Sequence, residues 1–128
     1  MSLSNDNNRG KVSVYVGTLA TDDTQVPVCH FAKKVKILSV KLINNAVVAA
    51  NDSNYVQPSL QHVGGNVIAE LDTRAAHEGA LAKNVGKAMN IVEAEQYVAA
   101  GSDLELDYQE AGTVTLTAAV LEIDYLEL

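Results

Sequence analysis

Four groups of side chains have residue types suited to chemistry. Cys29 and His30 set a thiol beside an imidazole, the two groups that a cysteine nucleophile and its base supply. Neighbours on a strand point to opposite faces, so the pair is badly placed to act together, and Cys29 reads as a small buried thiol. His62 and His77 add two imidazoles, at no recognised metal-ligand spacing and with no second cysteine for a structural zinc site. Asp103, Glu105 and Asp107 recur at every second position, which puts three carboxylates on one strand face. Such an array offers oxygen ligands to calcium but lacks the ligand order of an EF-hand loop. As the acid and nucleophile of a glycosidase it would need a cleft with aromatic walls, and only 5% of the residues are aromatic. A solvent-facing acidic ladder is the reading, with no metal, no cofactor and no enzymatic activity expected. The fourth group is basic, with Arg9 and Lys11 in one stretch and Lys33, Lys34 and Lys36 in another; a solvated surface is the simplest reading, and contacts with other subunits are the alternative.

Two further motifs dissolve on inspection. "NDS" at Asn51 fits a glycosylation acceptor, yet "MSLSNDNNRG" has neither the basic nor the apolar region of a signal peptide. "VGGNV" lacks the Lys and Ser or Thr of a phosphate loop, and its turn role is sufficient.

Strands must position these groups. Val12, Val14 and Val16 alternate with Lys11, Ser13 and Tyr15, the period of a half-buried strand. Val35 and Ile37 share one phase, Leu38, Val40 and Leu42 the other, and a shift of phase inside a strand signals a bulge. A second shift falls near Ala118 and Ala119. Val56, Leu60, Val67, Ala69 and Leu71 face inward around Gly64-Gly65, which predicts a hairpin with a two-residue turn. Pro58 has no amide hydrogen for a ladder, which predicts an edge strand or a bulge. Residues 73–92 mix Ala-rich spacing with Gly79 and Gly86 and are expected to form a loop with a short helix or an added strand. Together the pattern predicts an all-β, antiparallel, jelly-roll-like β-sandwich with one such insertion. Its core should include Val12, Val14, Val16, Val40, Leu42, Leu60, Leu71, Leu104, Leu106 and Leu116. The expected organisation is a polar arm, residues 1–10, and a single domain, residues 11–128.

Charge narrows the partners. Net charge is −7; residues 1–87 carry nine basic and seven acidic side chains, residues 88–128 none and nine. The basic residues are too few to neutralise many phosphates, so no nucleic acid is expected as a partner. No run approaches the roughly 20 apolar residues that cross a bilayer, so no membrane is expected, and one cysteine cannot form an internal disulfide. A soluble protein of a reducing compartment is the simpler reading. Self-association to a dimer or trimer is expected from the Pro58 strand at an edge and from the apolar closing run "VLEIDYLEL".

The strand before "AAND", the Gly-Gly hairpin, the "VAAGSDL" entry to a strand and the closing strand ending in "DYLEL" occur in an order that resembles the small jelly-roll proteins of tailed-bacteriophage virions, among them capsid decoration or cement proteins. The resemblance spans roughly residues 35 to 125. It implies a protein made in the host cytoplasm that ends on the capsid exterior, binds the major capsid protein and stabilises the assembled shell. Contacts would then come from the arm with Arg9, from Lys11, and from Lys33, Lys34 and Lys36. A fibre, tail or receptor-binding component and a carbohydrate-binding module are the alternative classes.

Overall fold

Aliphatic residues at every second position draw the chain into strands that hide one face each. The computed structural model describes residues 8–20 and 25–128. Its strands are β1 (Arg9–Leu19), β2 (Val26–Phe31), β3 (Val35–Ile43), β4 (Tyr55–His62), β5 (Val67–Glu70), β6 (Lys87–Ala88), β7 (Asn90–Ile91), β8 (Tyr97–Val98), β9 (Ser102–Ala111) and β10 (Leu116–Glu127). One sheet runs β1-β10-β3-β6, with β8 also on β3; the other runs β2-β9-β4-β5-β7. Every strand pairing is antiparallel. The fold is the expected antiparallel β-sandwich of jelly-roll type.

One continuous core lies between the sheets. Val40, Leu42, Leu60, Leu71, Leu104, Leu106 and Leu116 are buried as the alternation requires. Val12, Val14 and Val16 are only half-buried, because β1 is the outermost strand of its sheet. Both phase shifts are bulges. Leu38 is the extra residue where Ser39 faces Asp124 and Ile37 faces Tyr125. Ala118 takes φ +43° where β10 loses register with β1 beyond Tyr15. A third bulge, between Leu60 and Gln61, turns both Ile68 and Ala69 into the core and leaves Val67 half-exposed.

Three sequence expectations are corrected. The Pro58 strand is not an edge: β4 sits between β9 and β5. Pro58 is accommodated at the point where β5 ends, accepting from the Leu71 N–H at 3.1 Å and having no hydrogen to give back. The β4–β5 turn is longer than two residues; the His62 N–H reaches Asn66 O, and Gly64, at φ +67°, takes the left-handed position inside it. The closing strand β10 lies between β1 and β3, so both of its edges are paired within the protomer.

Segment 73–92 forms added strands. β6 pairs with β3 of one sheet and β7 with β5 of the other. Between them Met89 is buried and its N–H donates to Val40 O at 2.8 Å. The segment thus laces the two sheets together along one side of the sandwich. Two buried or turn-forming asparagines clamp the connections. Asn44 Oδ1 accepts from the Thr117 N–H at 2.7 Å, and Asn54 Oδ1 accepts from Thr113 and Val114 at 2.8 and 3.1 Å.

Candidate docking surface

The register of the first sheet decides where the basic residues meet. Arg9 lies opposite Leu126, Leu126 opposite Lys36, and Lys36 opposite Tyr97. Residues directly opposite share a face, so these four form one row across the sheet. Two residues along β1, Lys11 lies opposite Asp124 and Asp124 opposite Ser39, the next row. Lys33 and Lys34 occupy the turn that enters β3. All five basic candidates therefore gather at one end of the first sheet.

Their surroundings differ. Lys11 Nζ lies 2.9 Å from Glu122 and 3.9 Å from Asp124; its hydrogen bond to Glu122, and then the charge of both carboxylates, raise its pKa. Lys33 lies 3.9 Å from Glu127. Lys34 and Lys36 instead both approach one aromatic ring, their Nζ atoms 5.8 and 5.7 Å from the Tyr97 centroid. Tyr97 is 52% exposed. An exposed ring beside two ammonium groups offers an apolar contact flanked by donors, which suits a partner's carboxylates and carbonyl oxygens. Neither Tyr97 nor Leu126 carries a sequence signal for this role, since both join the group only through strand register.

The charge asymmetry along the sequence becomes an asymmetry between faces. Strands of the first sheet carry Arg9, Lys11, Lys36, Lys41 and Lys87 against Glu122, Asp124 and Glu127. Strands of the second carry Glu70, Asp103, Glu105, Asp107 and Glu110 and neither Lys nor Arg. The first sheet thus carries mixed charge with a small basic excess, and the second carries acidic charge alone.

The remaining candidates stay apart. Cys29 packs against the core, and burial, then the Asp103 charge, push its thiol up to about 11, far from a ready nucleophile. His30 turns outward to Asp103, with Nδ1 2.7 Å from Oδ1. His62 Nε2 lies 3.2 Å from Glu95 O, and His77 lines a different part of the surface. The acidic ladder is corrected in part: β9 is an inner strand, and Glu105 is only 7% exposed, accepting from the Gly64 N–H at 3.4 Å. Asp107 faces a polar trough of about 410 Å³ shared with Gln57, Glu70 and Gln109. Among the described residues no group of three His, Cys, Asp or Glu side chains is placed to hold a metal.

No protein-family model matches the chain, and no curated protein matches it in sequence. Solved structures do. A chain of the Cyanophage Pam1 capsid asymmetric unit aligns at TM-score 0.59 with 11% identity, over 94% of this chain and 86% of that one. The VP2 subviral particle of infectious bursal disease virus aligns at TM-score 0.40 with 8% identity, over 94% of this chain and 34% of that one. At this identity the cyanophage likeness shows a shared fold, matched nearly end to end.

Proposed function

We propose that the chain is a non-enzymatic structural protein of a bacteriophage virion, a decoration or cement protein that binds the exterior of an assembled capsid through the basic end of its first sheet. The observation that carries this reading is the end-to-end fold match to a chain of a cyanophage capsid asymmetric unit. The partner is the major capsid protein, reached after synthesis in the host cytoplasm. Arg9, Lys11, Lys33, Lys34 and Lys36 face it, with Tyr97 at the centre of contact. Exposed ion pairs contribute about 0–1 kcal/mol each, so the lysines set on-rate and salt dependence, while the Tyr97 ring and repetition over the lattice supply most of the affinity.

The test adds purified protein to undecorated capsids and measures occupancy at low and moderate salt. A Lys34→Ala/Lys36→Ala/Tyr97→Ala variant should need about tenfold more protein for half occupancy, with a weaker salt response. Equal occupancy by the variant would sink the docking surface. No occupancy by the full-length protein would sink the decoration role.

A further inference from the structure

Three of the four sheet edges are closed or blunted. On one side of the sandwich the outermost strands β6, β7 and β8 are two residues long, and the exposed edge of β3 is met by the Met89 N–H at Val40 O and by Gln96 at both polar groups of Ile37. On the other side β2 carries Pro27 and a bulge between Pro27 and Cys29. Short strands, proline and bulges are the usual protections of an edge. β1 differs. From Arg9 to Tyr15 it pairs with β10 in unbroken register, and among the described residues no strand pairs with its other side.

We propose that this run is a dimerisation strand, pairing antiparallel with the same run of a second copy about a two-fold axis at Val12. This inference is independent of the virion role. A two-fold centred there uses all seven regular residues and sets Arg9 opposite the partner copy's Tyr15, Gly10 opposite Val14, Lys11 opposite Ser13 and Val12 opposite itself. Like charges are never directly opposed, and each Lys11 retains its own Glu122 at 2.9 Å. Tyr15, 69% exposed in the protomer, gains a guanidinium across the pair. On the other face Val12 and Val14, half-buried in the protomer, gain apolar neighbours and join two cores into one. Because the pairing is isologous, it closes at two copies.

Sedimentation equilibrium of the full chain tests this with two substitutions at one exposed position. Tyr15→Lys sets a lysine against Arg9 at both symmetric contacts and should weaken the dimer about tenfold, whereas Tyr15→Glu supplies an opposite charge and should leave it as tight or tighter. Register is read separately in a Cys29→Ser background, where oxidation should cross-link Val12→Cys copies and not Val16→Cys copies. A monomer at high concentration would overturn the inference and leave the edge to an extended segment of some other chain. A trimer, equal weakening by Tyr15→Lys and Tyr15→Glu, or cross-linking through Val16→Cys as fast as through Val12→Cys would overturn it too.

Discussion

Replacing Asp72 by Asn removes one charge at the start of the 72–78 loop, where the chain leaves β5. Asp72 is 8% exposed, and its carboxylate accepts from the Arg74 backbone N–H at 2.9 Å, from Arg74 Nε at 3.0 Å and from Gln57 Nε2 at 2.8 Å. Its own N–H donates to Glu78 Oε1 at 2.8 Å, and Arg74 lies 4.7 Å above the Tyr55 ring. Burial pushes the Asp72 pKa up, but the hydrogen bonds from Arg74 and Gln57, with the charge of Arg74, outweigh it and lower the value from 3.8 to about 2. A folded pKa below the unfolded one means stability that is present above pH 3.8 and lost as pH falls toward about 2. The size at neutral pH is about 2 kcal/mol, from about 1.4 kcal/mol per pKa unit. Asp72→Asn forfeits this and turns an amide donor toward donors. Urea unfolding of both proteins at several pH values should show a deficit of about 2 kcal/mol at pH 6 that shrinks to a few tenths at pH 2, because protonated Asp72 also carries a donor. A deficit that stays constant with pH, or that never exceeds about 0.5 kcal/mol, would refute the argument that the charge holds the loop.

Gly112 has φ +85°, and a Cβ there would run into the Asn54 carboxamide that clamps Thr113 and Val114. Gly112→Ala should therefore cost about 2–3 kcal/mol in thermal unfolding, against about 1 kcal/mol for Gly64→Ala, where φ is +67° but the space is open. Equal losses at the two sites would contradict the clash. Cys29, with its thiol at about 11 instead of 9.0, should be alkylated at pH 8 about a hundredfold more slowly in the folded protein than in denaturant. Similar rates would show an accessible, unperturbed thiol.

What the sequence reveals here depends on range. Alternation is local, so the strands and most of the core are legible, and the phase shifts at Leu38 and Ala118 announce bulges because a skipped residue inverts the pattern at once. Pro58 misleads because its missing hydrogen matters only if a neighbouring strand extends far enough to use it, and β5 stops at Glu70. β6 and β7, two residues each, are shorter than any period that could reveal them. Glu105 alternates like a surface residue but lies on an inner strand under the β4–β5 turn. Of the docking surface, the lysines are visible in the sequence. Their meeting with Arg9 and Tyr97 across β10 and β3 is a matter of register between segments far apart in sequence, which no local pattern encodes.

The pairing of β1 with β10 also orders events in time. Val14 meets Leu121, so β1 has no ladder partner until β10 has also been made. β10 must in turn settle against β3, whose far side is completed by the 87–98 segment. Such long loop closures make folding slow, on the order of milliseconds to seconds. Throughout that interval the valine-rich β1 segment is exposed and suited to mispairing with other nascent copies. Yield on expression should therefore respond to temperature and to chaperone supply more steeply than the equilibrium stability of the finished sandwich would suggest.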